Sequence, residues 1–301
     1  MNFDAADQAA VVQDVPPNEV VAEQDQLPTM RRNQNNRGNP LDDPSRMDLT
    51  PQERQWALEL KEAIEQDPEL EPISDFWCVQ LAIKEEGNLE CALDRARHMQ
   101  GFRQEYEIED TTESGLHVMT EFVKLVPGFH LALSYCADTG NYIGVYDFSK
   151  FYTTKIASEP GGIALWLSSF YHHSNALNPD FEACRRGSSV LAECDGFDWK
   201  VNIPSKDMIR LNGEIAAVYP QSHQHMKYFN TGVLFNLMMS MVKKVMPKDC
   251  RNLVEFGCRT EFGRLDMVYA VPSLETATQR FLLRHKDSLD RRYANEASFS
   301  L

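Results

Sequence analysis

The sequence predicts an α/β fold: a mainly parallel sheet with flanking helices and one apolar helix, preceded by a small all-helical N-terminal module. Three observations carry this reading. Extended apolar runs alternate with helical periodicity from about residue 129 onward, which implies right-handed crossovers between parallel strands. Residues 50–106 show helical spacing and caps throughout. The stretch Val233 to Met246, VLFNLMMSMVKKVM, is apolar around most of its circumference.

Residues 1–48 are rich in Asp, Gln, Asn and Pro, with few large apolar side chains, so a disordered polar tail is expected. Thr50-Pro51-Gln52-Glu53 has the form of a capping box with proline at the first helical position. Trp56, Leu58, Leu60 and Ile64 continue that first helix. A second helix is predicted from Ser74 to a stop at Gly87, and Asn88 caps a third with Leu89, Ala92, Leu93, Ala96 and Met99 in register. These helices define a module over 49–106.

The remaining domain is placed at 107–294. A helix over 112–126 ends at Pro127-Gly128, and a hairpin follows, with strands over 129–135 and 141–148 around Asp138-Thr139-Gly140. Helices are predicted over 162–176 and 179–186, then a strand over 188–195 that turns at Gly196. A helix capped by Ser205 closes on Tyr219-Pro220, and a strand over 225–230 leads into the apolar helix. After Pro247 come a short strand over 252–257 and a long amphipathic helix over 273–293.

At about 1.5 Å per residue the apolar helix is about 21 Å long, too short to span a bilayer. It is a core helix, a partner-binding helix, or the wall of an apolar cavity that meets a membrane surface. Its polar residues, Asn236, Ser240, Lys243 and Lys244, fall on one narrow stripe.

The chain has 301 residues and a formal net charge of −15. That charge argues against nucleic acid as a partner, since such binding needs a basic footprint. Seven cysteines, with no C-x-x-C pair among them, suit reduced thiols. No signal segment, lipidation motif or membrane-length apolar run is seen, so a cytoplasmic protein is expected.

Motifs for catalysis are lacking. No phosphate-binding glycine loop, G-x-S-x-G elbow or H-E-x-x-H pair occurs. His223 and His225 share a strand face without a third ligand, and read as loop or surface histidines. His172 and His173 point to different sides of one helix and are expected to be partly exposed. Asp147 and Asp195 end apolar strands, where carboxylates act either in catalysis or as turn formers. No metal and no cofactor is expected.

The order of these elements resembles the CRAL-TRIO lipid-transfer family over roughly residues 50–290. The resemblance rests on Gly140-Asn-Tyr-Ile-Gly-Val-Tyr-Asp147, on Asp195-Gly196 after a strand, on Tyr219-Pro220 closing a helix, on the strand ending at Asn230, and on Phe235, Lys243 and Pro247 in the apolar helix. It implies a non-enzymatic monomer, peripheral at membranes, that binds a small hydrophobic molecule or lipid on the sheet beneath a gate helix at 233–246, which opens at a membrane surface. Facing sides then put Val145, Ala192, Cys194 and Tyr228 on the floor, with Asn230 at its end. Trp166, Phe170, Val233, Leu234, Leu237, Met238 and Met241 would form walls and lid. Phe235, Met239, Lys243 and Lys244 would face the membrane.

The chain departs from the phosphatidylinositol-binding pattern. Gln221 stands where a glutamate follows Tyr-Pro, and Arg251-Asn252-Leu253 lacks the expected lysine. A less polar ligand, such as a retinoid, tocopherol or sterol, is favoured. The alternatives are a protein-interaction scaffold on the same fold, and an enzyme of hydrolase type using Asp147 and Asp195.

Overall fold

The computed structural model describes residues 39–136, 140–218, 223–245, 253–257 and 274–301. Its first elements fall inside the segment read as a polar tail. Asn39 and Asp43 each precede a proline and cap a 3-10 turn, Pro40–Asp42 and Pro44–Met47. Their carboxamide and carboxylate accept from Leu41 N at 3.1 Å and Ser45 N at 2.9 Å. Leu41 and Arg46 are buried. Order therefore starts before residue 48, because local caps and one buried arginine anchor the strap.

Helix α1 (Pro51–Gln66) opens on the expected capping box, with Thr50 N donating to Glu53 Oε2 at 2.8 Å and Glu53 N to Thr50 Oγ1 at 3.2 Å. Ser74 and Asn88 cap α2 (Asp75–Lys84) and α3 (Leu89–Glu105). Gly87 ends the turn after α2 at φ +78°, its N–H donating to Ala82 O at 3.0 Å. A Cβ there would lie 2.3 Å from the Trp56 ring. Gly87→Ala is expected to cost about 1–2 kcal/mol in backbone strain alone, with more from displacing Trp56, read as a lowered midpoint in chemical denaturation.

The module is not a separate body. Trp77, Met99 and Phe102 belong to the same apolar core as α4 (Thr112–Leu125) and the helices beyond. Phe76 packs on Phe181, ring centroids 4.8 Å apart.

Strands β1 (His130–Tyr135) and β2 (Tyr142–Asp147) pair antiparallel. After them come α5 (Thr153–Ser158), α6 (Gly162–Leu177), α7 (Phe181–Arg186), β3 (Ser188–Glu193), α8 (Trp199–Asn202) and α9 (Lys206–Val218). Then come β4 (His223–Phe229), α10 (Val233–Val245), β5 (Val254–Gly257) and α11 (Leu274–Ser298). The five strands lie in sequence order, and the pairs β2–β3, β3–β4 and β4–β5 are parallel. The mainly parallel α/β sheet with flanking helices is thus present. Sequential order with right-handed crossovers sends the connecting helices to one face. Tyr146 and Val190 on that face pack with α6 and α9, and Ala192 and Tyr228 pack with α10.

Several elements differ from expectation. The short helices α5 and α8 were not anticipated; long-range polar contacts fix them, including Thr153 Oγ1 to Ile203 O at 2.6 Å and Asn202 Nδ2 to Ser149 O at 3.0 Å. β4 begins at His223. α11 continues past residue 293, held by the Arg292–Glu296 pair at 2.9 Å and by Ser298 Oγ on Ala294 O at 2.8 Å.

Candidate functional site

The sheet register decides which residues can share a site. Tyr146, Ala192, Tyr228 and Phe256 stand in one row across β2 to β5, and Gly144, Val190, Met226 and Val254 in the row two residues before. These rows share a face, since strand side chains alternate. Val145 pairs with Leu191, and Leu191 with Lys227, so all three lie on the opposite face. Val145 is therefore not on the floor with Ala192 and Tyr228. Its expected place took no account of strand parity.

Helix α10 lies on the Ala192–Tyr228 face. Phe235 and Met239 are 1 % and 5 % exposed and pack with Ala192, Cys194, Tyr228 and Val254. Phe235 meets Tyr228 at 5.5 Å and Phe197 at 5.2 Å between ring centroids. Phe148 also meets Tyr228, at 5.7 Å. Phe197 and Phe148 were not singled out in the sequence; each lies in the turn just after a strand, where only a three-dimensional register reveals it.

Val233 and Leu237 point the other way, 85 % and 55 % exposed. The expected orientation of α10 is therefore reversed. Phe235 and Met239 fill the seat on the sheet, and Val233 and Leu237 face solvent. The reason is the i, i+4 pairing: each pair is contiguous on its own side, and the large ring takes the space above Tyr228. Lys243 Nζ lies 5.0 Å from the ring centroid of Phe256, itself exposed on β5. The side chains of Leu234, Met238, Met241 and Lys244 lie outside what the structure describes, as do Gln221 and Pro247.

Trp166 is buried in the main core, 6.3 Å from Phe151 between ring centroids, and Phe170 packs against that core from a partly buried position. Neither is among the residues packed with Phe235 and Met239. Asn230, at φ +54°, donates through Nδ2 to Glu193 Oε2 at 2.7 Å. It braces the ends of β3 and β4 directly before α10.

Asp147 acts as a turn former, its Oδ1 accepting from Ser149 N at 2.9 Å and Oγ at 2.6 Å. Asp195 is exposed, and its N–H donates to Glu193 Oε1 at 2.7 Å. Burial pushes the Cys194 thiol well above its usual range, and the side chain packs with Ala192 and Tyr228. His172 and His173, expected partly exposed, are buried: α4, α11 and the sheet enclose α6 on several sides.

Two surface hollows of about 360 and 250 Å³ lie away from α10. The first sits between the chain at Glu71–Ile73 and the end of α3, and the second between β1 and α11. No helix among the described residues is long and apolar enough to cross a membrane.

The fold and site define an α/β protein whose crossover helix α10 covers an apolar seat on the sheet. No protein-family model matches this chain, and no curated protein matches it in sequence. Among solved structures it is similar to the crystal structure of Sfh5, with 12% identity and a TM-score of 0.49, over 73% of this chain and 85% of that one.

Proposed function

We propose that this protein binds a small hydrophobic molecule or lipid beneath α10 and exchanges it at a membrane surface, without catalysing a reaction. The observation that carries the reading is the double-sided apolar character of α10. One side, Phe235 and Met239, already satisfies the sheet, yet Val233 and Leu237 remain in solvent. An exposed apolar pair on one side of a helix gives it a surface that can enter a membrane interface. The described geometry is the closed state. Phe235 and Met239 occupy the seat on Ala192, Cys194 and Tyr228, and a ligand takes their place when α10 lifts. Lys243, beside exposed Phe256, supplies a positive charge for anionic headgroups. Asn230 and Glu193 form the fixed end about which α10 moves.

The test is extraction. Purified protein is incubated with phosphatidylcholine–phosphatidylserine vesicles carrying trace sterol and retinoid, re-isolated, and extracted into organic solvent. Mass spectrometry is expected to find about one hydrophobic molecule per chain, as one seat beneath α10 predicts. A lipid-free protein before and after incubation overturns the reading and leaves the scaffold alternative.

A further inference from the structure

Four histidines lie in the core, far from any role in the proposed lid. His130 comes from β1, His172 and His173 from α6, and His285 from α11. All are buried. His173 stacks on His285, centroids 5.6 Å apart and rings 7° from parallel, and meets His130 edge-on at 5.1 Å. Phe281 of α11 stacks on His130 at 4.7 Å. His172 faces α4, where a Cβ on Gly115 would come within 2.8 Å of its Nδ1 and 2.6 Å of Leu289 Cδ1. Neither ring nitrogen of His172 or of His285 has a hydrogen-bond partner among the described residues.

Among the described residues, the charged group that acts on His172 is a cation, and those that act on His130 and His285 are other histidines. β2 contributes Tyr146, whose hydroxyl lies 2.6 Å from His173 Nε2. Burial keeps that phenol neutral, so it is a hydrogen-bond partner that carries no charge. α3 contributes Arg103, a cation, already paired with Asp110 at 3.1 Å. α6 adds Tyr171, α11 adds Tyr293, and α4 adds apolar Met119 and Phe122. Burial, with the neighbouring histidines, holds His130 and His285 well below the usual imidazole range. Burial, and then Arg103, lowers His172 to about 4.

We propose that the stack is a proton-operated latch whose protonation frees the first half of α11, residues 274–289, from β1 and α6. The second half stays docked by different means. Arg292 lies over the rings of Phe76 and Trp77 at 4.0 and 4.8 Å and pairs with Glu296, which accepts from Ser74 Oγ at 2.5 Å. None of these contacts involves an imidazole. The helix is thus held at two stations, and the histidines belong to only one of them.

The direction follows from linkage. Histidines depressed in the fold take up protons more readily once released, so docking is complete above about pH 6.5 and weakens as pH falls toward about 4. The test is hydrogen–deuterium exchange of the full chain between pH 7 and 4, corrected for intrinsic rates. Peptides from 274–289 are expected to lose protection while those from 51–66 and 290–298 keep theirs. His285→Phe preserves a stacked ring without a titrating nitrogen, and is expected to move that loss down by about one pH unit. His98→Gln, at an exposed histidine, is expected to leave it in place. Uniform loss across α1 and α11 in the native protein, or full protection of 274–289 at pH 4, overturns the proposal even if His285→Phe does not fold.

Discussion

Asp180→Ala is expected to destabilise the fold by about 3–5 kcal/mol, the cost of leaving a buried charge without its partner. Asp180 and Arg46 are both buried and form a two-point pair, Nε to Oδ2 at 2.8 Å and Nη2 to Oδ1 at 2.9 Å. Oδ1 also accepts from Ala183 N at 2.8 Å and so caps α7. Nη2 reaches the Gly140 carbonyl at 3.4 Å. One carboxylate therefore joins the N-terminal strap, the hairpin region and α7. Alanine removes the pair and the cap together, leaving the buried Arg46 guanidinium without its carboxylate. Asp180→Asn keeps a capping oxygen and is expected to lose less. Urea denaturation resolves the order: native, then Asn, then Ala. An alanine variant within about 0.5 kcal/mol of the native protein, as ordinary surface changes are, would show that the pair does not hold the strap.

Leu237→Asp is expected to weaken vesicle binding on the order of 30-fold, which corresponds to about 2 kcal/mol for one leucine that no longer enters the interface. Val233→Asp is expected to act in the same sense. Both residues are exposed, so chemical stability should stay near native. Phe235→Ala is the contrasting change. It removes a wholly buried ring from Tyr228 and Phe197 and is expected to cost about 3–5 kcal/mol of stability. Vesicle sedimentation and denaturation together separate the two faces of α10. If Leu237→Asp binds vesicles as the native chain does, the outer face is not the membrane-facing one.

The architecture was largely legible in the sequence. Thr50 and Glu53 announced α1, and the apolar runs announced the five-stranded sheet, because caps and periodicity are local signals. The facing of α10 was not. A helix apolar on nearly every side carries no strong direction, and the sheet's parity chose Phe235 and Met239 for the inner side. The same parity moved Val145 to the other face. The histidine stack was hidden for another reason. Read locally, the segment SFYHHSNAL suggests a polar helix side, and only α4 and α11 closing over it bury His172 and His173. Arg46 was missed because its partner lies 134 residues away.

The lid account is tested most directly by photo-crosslinking. The protein is mixed with vesicles containing a phosphatidylcholine that carries a photoreactive group in its acyl chain, irradiated, and digested for mass spectrometry. Labels are expected on the inner side of α10, at Phe235 or Met239, and on the sheet residues beneath it, Ala192, Cys194 and Tyr228. Labelling confined to Val233, Leu237 and Phe256, with the seat untouched, would contradict the account: α10 would then rest on membranes without ever admitting a ligand.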